Sequence, residues 1–487
     1  MLLLRRVVFV IFFMLYLIVC PLTVLYALGY LVKPGPGHAF VKTGLIHVAT
    51  LPIGATIVLD NQDLGTRTPS TLQNLLPGIH VLRLSLPGYE PWVRVVPVEA
   101  EQATVLAHVL LVPERPVTKE LLAEPIAGIA GIEDSHLLLL TKGPMLGAYQ
   151  WYDWSREKLW PVTWDHPTVR SARVLRCVTE RQSHTVLFEV ELARQHLMLL
   201  AELRGNEVHF DDVTKLFPEI PDRVHWDATQ HQYLFALHRG SLDRLDVTSM
   251  AIYPRLLESI RGFGLFNKAV YALTSDTMLE RMDDDAKHPS LLSEKPVLRG
   301  EPLGQREQFD LLVLADDAIL FLGSRGSLLA NRWPYVLAER GVLGLHVDPT
   351  RQHVLTWQRD QLGLLDLTRE LRAENATAPT LQMRWIALPH RRIEQACWVY
   401  DASHVLLRDQ DAVWLLDLED PQQAPPRHLV DLAPGSAVLY AEESGTLYYL
   451  DRATSHLWML EVIPRQALLP LPLPERSPDL PKPADRP

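Results

Sequence analysis

The sequence predicts an all-β protein carried on one N-terminal helix, and three observations predict it. From Val7 to Val32 no charged residue occurs over 26 positions. From about residue 43 to 113, short alternating apolar stretches are separated by glycine and proline turns. From about 120 to 463, paired apolar runs return with starts about 34–53 residues apart.

Composition sets the frame. At 487 residues the chain is long enough for several cores, since domains run to about 150 residues. Hydrophobic residues at 47% and charged residues at 22% describe a folded chain rather than a disordered one. The net charge of −11, with no cluster of Lys and Arg, argues against nucleic acid as a partner, because phosphate binding needs a basic stripe.

The N-terminal run comes first. As a helix, residues 7–32 would extend about 39 Å, more than the roughly 30 Å hydrocarbon core of a bilayer. The run also exceeds the about 7–15 apolar residues of a cleaved signal peptide. We therefore expect a cytoplasmic N-terminus at 1–6, a transmembrane helix at 7–32 embedded in the lipid bilayer, and a Pro/Gly linker at 33–42. Pro21 is tolerated as a kink in such a helix. Arg5, Arg6 and the α-amino group precede the run, and Lys33 and Lys42 follow it. That slim excess predicts a single-pass protein with the N-terminus inside and the bulk of the chain extracytoplasmic. Leu17-Ile18-Val19-Cys20 has the outline of a lipoprotein box. Val19 stands where a small residue is expected, however, and the apolar run continues past the cysteine.

Residues 43–113 follow as a small β-sandwich. The strand stretches are Leu45–Thr50, Thr56–Asp60, His80–Leu86, Trp92–Val98 and Thr104–Val112, with turn signals between them. Within them lie Pro52-Ile53-Gly54-Ala55, Ile57-Val58-Leu59-Asp60, Gly65-Thr66-Arg67-Thr68-Pro69, Leu76-Pro77-Gly78-Ile79-His80 and Gly88-Tyr89. This succession resembles a PEGA domain, a small extracytoplasmic β-sandwich. Ile53 replaces the signature glutamate, and Asn61 replaces the glycine that usually follows the aspartate. Asn tolerates left-handed turn geometry, so neither change threatens the fold. The resemblance covers roughly 15% of the chain and implies a bacterial or archaeal envelope protein.

The remainder, 120–463, carries eight double runs: Ile129–Trp151, Val174–Leu203, Val224–Val247, Phe263–Leu279, Phe309–Trp333, Leu343–Leu367, Ala396–Leu418 and Ala437–Val462. Four align closely. His225-Trp226-Asp227 leads through Tyr233–Leu237 to Leu242–Asp246. His346-Val347-Asp348 leads through Val354–Trp357 to Leu362–Asp366. Val399-Tyr400-Asp401 leads through His404–Leu407 to Val413–Asp417. Tyr440-Ala441-Glu442 leads through Thr446–Leu450 to Leu457–Glu461. Each reads as strand, acidic turn, strand, short turn, strand. A lone meander leaves a face uncovered, so the units must stack. The repeats resemble WD40-like or YVTN-type blades without the strict Gly-His and Trp-Asp marks. This implies a 7–8-bladed β-propeller, with an open β-solenoid as the alternative. The tail, 464–487, holds eight prolines and reads as extended and disordered.

Local motifs carry little chemistry. Asp283-Asp284-Asp285 lacks the ligand spacing and fixed glycine of a calcium loop and reads as a solvated turn tip. Asp211-Asp212 and Asp316-Asp317 are similar doublets, and Asp227, Asp348 and Asp401 read as turn caps. Trp151, Trp154 and Trp160 with Tyr149 and Tyr152 form an aromatic cluster that is either inter-blade core or a sugar-stacking platform. Cys177 and Cys397 read as buried thiols, with a disulfide as the alternative. No histidine pair has metal-ligand spacing, and neither a Gly-x-Ser-x-Gly elbow nor a Walker loop occurs. Asn375-Ala376-Thr377 is a glycosylation sequon.

No catalytic residue, cofactor or metal is assigned. Trp151, Trp154, Asp283, Asp284 and Asp285 stand as weak interaction candidates. The expected function is non-enzymatic: a membrane-anchored binding or scaffold protein of the envelope, its propeller presenting a protein- or glycan-binding face. The alternatives are a propeller enzyme with catalytic groups at the channel mouth, and an accessory subunit of an envelope assembly.

Overall fold

The computed structural model describes residues 2–27, 30–32, 40–131, 136–162, 167–180, 184–227, 229–283, 288–293, 295–298, 307–314, 318–368, 380–418 and 425–463. The chain divides into two compact units, Met1–Pro116 with Glu461–Pro487, and Val117–Leu460.

The first unit opens with an α-helix, Leu2–Ala27, that contains Pro21. It starts and stops earlier than the expected span of 7–32. Tyr30–Val32 is instead a strand, paired antiparallel with Phe40–Lys42. Among the described residues no helix is long and apolar enough to cross a membrane. Most of the expected linker, 33–39, and the Pro-rich tail, 464–487, lie outside the described residues.

Two sheets then form the sandwich. Gly44–Leu51 runs between Ser70–Leu75, antiparallel, and Ala103–Leu110, parallel. The second sheet has the order Gln62–Arg67, Thr56–Leu59, Gly78–Ser85, Trp92–Val98. Alternate residues of Gly44–Leu51 are buried, so a period-2 apolar pattern supplies one face of the core. Ile46, Val48, Ile57, Leu82, Leu84 and Val96 fill it. Gln62–Arg67 and Ser70–Leu75 are the strands the sequence pattern did not reveal. Both are polar edge strands, held by backbone pairing and carrying little apolar signal.

The glycine and threonine motifs knit this unit together. Gly54 donates its N–H to the Thr68 carbonyl at 2.8 Å, and Thr68 donates to the Ala55 carbonyl at 2.9 Å. The buried Thr68 Oγ1 accepts from the Ala55 N–H at 3.0 Å and bonds Thr50 Oγ1 at 2.5 Å. Asp60 and His80, from two further motif segments, form a 2.7 Å pair.

Among the described residues, the second unit is eight four-stranded antiparallel sheets, numbered here as blades. Their first, innermost strands are Gly128–Gly131, Arg173–Thr179, Arg223–Trp226, Ile260–Phe266, Phe309–Val313, Gly344–Val347, Gln395–Val399 and Leu439–Ala441. Blades 1 to 7 are meanders of four strands consecutive in the chain. Blade 8 is not. It takes three strands from the end of the unit and its outermost strand, Thr118–Leu122, from the beginning. Thr118 faces Leu460 and Lys119 faces Met459 in antiparallel register.

Apolar clusters fill the spaces between neighbouring blades. One holds Trp151 and Trp160 of blade 1 against Phe188 and Val190 of blade 2. Others join blades 2 and 3 through Leu187 and Leu234, 3 and 4 through Phe235 and Phe263, and 4 and 5 through Tyr271 and Phe321. Blades 5 and 6 meet through Leu320 and Val354, and 6 and 7 through Leu355 and Trp398. Gln395 of blade 7 donates to the Val438 carbonyl beside blade 8, and Leu138 and Tyr152 of blade 1 pack with Tyr448 of blade 8. The ring is therefore closed. An open solenoid would leave its end blades without these last contacts.

Blades 4 and 5 join more tightly than the rest. Their inner strands hydrogen-bond in parallel, Gly262 opposite Phe309 and Phe263 opposite Asp310, so the two blades make one eight-stranded sheet. A Cβ on Gly262 would lie 1.9 Å from the Phe309 carbonyl oxygen, and one on Gly264 would lie 2.0 Å from that of Leu311. Only glycine permits this approach.

Aspartates close the turns. Asp246 Oδ1 accepts from the N–H groups of Thr248 and Ser249, both at 2.9 Å, and Asp153 Oδ1 does the same for Ser155 and Arg156. Asp227 and Asp348 satisfy the turns after the first strands of blades 3 and 6. Each satisfies backbone donors that a turn leaves without a ladder partner.

Candidate functional site

Polar groups converge on the inner wall from three blades. Arg223 and His225 lie on the first strand of blade 3, and Asp310 lies on that of blade 5. Asp310 forms an ion pair with Arg223 and stands 3.6 Å from His225 Nε2. Blade 4 lies between them in the ring, and its Phe263 meets the His225 ring edge-on at 5.1 Å. From blade 2, Arg176 pairs with Glu189 at 2.9 Å and donates to the Pro221 carbonyl at 3.2 Å. Gln308 Nε2 reaches Asp222 at 3.2 Å.

The electrostatics of the cluster follow from crowding. His225 keeps 46% of its side chain accessible, yet its pKa is pulled down to about 4. Loss of hydration is the main cause, and the positive charges of Arg223 and Arg176 add to it. Burial likewise draws the Arg223 guanidinium below its usual value. At neutral pH the site is thus a neutral imidazole beside two guanidinium groups, each already opposed by a carboxylate.

A second polar feature lies between blades 2 and 3. Trp226 ends the first strand of blade 3, and Gln230, His231 and Gln232 belong to the turn after it. Together with Thr185 and Glu202 of blade 2 they line a cleft of about 480 Å³. Behind it the fully buried carboxylate of Glu180 holds His231 Nδ1 at 2.6 Å. Glu202 is paired with Arg204 at 2.7 Å.

The residues singled out from sequence fall elsewhere. Trp151 is fully buried, with Trp160, in the core between blades 1 and 2, so the platform alternative is corrected for it. Trp154 is half-buried, edge-on to His136 at 4.8 Å and beside Tyr448 at 5.9 Å. Asp283 ends the third strand of blade 4 and pairs with Arg281 at 2.7 Å. Asp284, Asp285, Asp316, Asp317 and the sequon at Asn375 lie outside the described residues. Cys177 and Cys397 are free thiols, and burial pushes that of Cys397 up to about 12. Among the described residues, no three of His, Cys, Asp and Glu gather as a metal-ligand set.

Sequence reading missed Glu180, His231, Arg223 and Asp310 as partners. Each pair joins two blades, and no local spacing could have revealed it.

Comparison with known proteins bears on the sandwich of the first unit. Residues 43–112 match the PEGA domain, coinciding with the sandwich. Among solved structures, the chain is similar to the β-propeller domain of Cps50 (Swd1) from Myceliophteria thermophila, at 8% identity and a TM-score of 0.37. That alignment covers 60% of this chain and 99% of the other. The sheet order and ring closure described above carry the propeller assignment. No curated protein matches the sequence.

Proposed function

We propose that this chain is a membrane-anchored, extracytoplasmic binding or scaffold protein of the cell envelope. The helix Leu2–Ala27 is the anchor, with the N-terminus in the cytoplasm. The PEGA sandwich is the spacer, and the propeller offers its loops to an envelope protein or glycan. The observation that carries the reading is the closed ring. Eight sheets sealed by Thr118–Leu122 make a rigid support on which loops recognise a partner. The charge-free run from Val7 supports the anchor, and the match over residues 43–112 supports the envelope setting.

Fractionation tests it. Full-length chain expressed in a bacterium is expected to sediment with membranes, resist extraction by salt and yield to detergent. Protease added to spheroplasts is expected to digest the propeller. Recovery in the soluble fraction, or protection from protease in intact spheroplasts, would refute the proposal.

The convergence of Arg223, His225 and Asp310 favours the enzyme alternative as a second reading. Release of new reducing ends from envelope polysaccharide, lost in His225→Gln with the fold intact, would support it. Unchanged polysaccharide would leave the cluster as a tie between blades 3 and 5.

A further inference from the structure

The cleft between blades 2 and 3 is built from groups that both offer and receive hydrogen bonds. Glu180 is fully buried, and an ionised carboxylate only accepts, so its bond to His231 places the ring hydrogen on Nδ1. In the neutral ring Nε2 is then an acceptor, held in one orientation by a group that water cannot reach. The exposed Gln232 brings an amide that donates and accepts, and Glu202 brings acceptors. The Trp226 indole N–H donates to the Val178 carbonyl at 3.2 Å, which fixes an aromatic ring in the wall.

Charge narrows the ligand class. The guanidinium of Arg204 is matched by Glu202, so the cleft has no surplus positive charge for a phosphate. Mixed donors and acceptors beside one fixed aromatic ring match a polyhydroxylated ligand. Every hydroxyl of such a ligand both gives and takes a hydrogen bond, and its C–H faces cover aromatic carbon. The volume of about 480 Å³ lies within the roughly 300–1,000 Å³ of small-molecule sites. We infer that this cleft is a saccharide-binding subsite that takes a short neutral segment of a glycan chain. The inference deepens the binding role proposed above and depends on it only for where the glycan is met.

The test uses full-length protein in detergent, titrated with cellobiose, maltose and N,N′-diacetylchitobiose. Saturation-transfer NMR and tryptophan fluorescence are the readouts. At least one disaccharide is expected to bind saturably. His231→Gln and Gln232→Ala are each expected to weaken that binding about tenfold, the loss of roughly one good hydrogen bond. Gln232 is an exposed turn residue, so its substitution keeps the test valid if His231→Gln disturbs folding. No saturable binding by any of the three sugars, or binding untouched by Gln232→Ala in a folded protein, overturns the inference. Neither result bears on membrane fractionation, so the two proposals fail separately.

Discussion

Asp60, in the turn after Thr56–Leu59, and His80, on the neighbouring strand Gly78–Ser85, clamp the PEGA sandwich: Oδ2 meets Nδ1 at 2.7 Å, while Nε2 of the same ring bonds the Leu76 carbonyl at 2.8 Å. With an acceptor at each nitrogen, the ring is best satisfied when both carry hydrogen. Burial alone would lower the His80 pKa, but the Leu76 carbonyl and Asp60 outweigh it and raise the pKa. The contribution to stability is therefore complete below the ordinary value of 6.5 and is lost as pH rises through the raised pKa. NMR titration should place His80 above the ordinary range, and Asp60→Asn should bring it down and flatten the alkaline loss of stability. A midpoint at or below 6.5 would contradict this.

The parallel junction of blades 4 and 5 depends on the missing side chain at Gly262. Its Cβ would meet a carbonyl oxygen of the neighbouring strand, and backbone cannot swing aside as a side chain can. Gly262→Ala should destabilise the propeller by about 1–3 kcal/mol, the usual range for overpacking. Ala substituted at Gly143, whose added Cβ would meet only Ala148 Cβ at an ordinary 3.9 Å, should introduce no such collision. Comparing each variant's denaturant midpoint with the parent chain's checks the contrast.

Thr118–Leu122 is the strand that seals blade 8, and Leu121 and Leu122 pack on its core. Chain starting at residue 124 should lose the seal, expose the edge of Leu457–Glu461 and self-associate. Size-exclusion chromatography should give oligomers, and thermal unfolding should begin at lower temperature. Supplying residues 116–123 as a peptide should partly restore the monomer. A stable monomer without the strand would show that the ring does not need it.

His225 should stay neutral far into acid, with a midpoint near pH 4. Between 6.5 and about 4 the unfolded chain takes up a proton at this position that the folded chain refuses. Stability at this site is present above 6.5 and declines as pH falls through that window. His225→Gln should remove that slope. Histidine NMR on the parent and variant supplies the midpoint, and denaturant melts at several pH values supply the slope.

The parts legible in sequence were those whose signal is local. Pro52–Ala55, Asp60, Thr68 and His80 mark turns and pairs within a few strands, so the sandwich could be read directly. The double runs pointed to seven or eight blades because the second strand of each blade is largely apolar, as at Val405–Leu407 and Leu447–Leu450. The polar outer strands, such as Glu207–Asp212, carry no such pattern. What stayed hidden was pairing between distant segments. Thr118–Leu122 looks like a fragment of linker until its partner is known, and Glu180 looks like any loop glutamate until His231 is beside it. The aromatic cluster around Trp151 was ambiguous for another reason: tryptophan serves core and platform equally well, and only burial separates them.

The seal of blade 8 also fixes a schedule. The ribosome delivers Thr118–Leu122 long before Leu457–Glu461, and at about 5–20 residues per second the wait is roughly 20–70 s. Throughout that interval an edge made to pair has nothing to pair with, while earlier blades emerge around it. The ring therefore closes only after its last blade has been made. A strand kept waiting that long is an unpaired edge, open to pairing with other chains until its partner arrives.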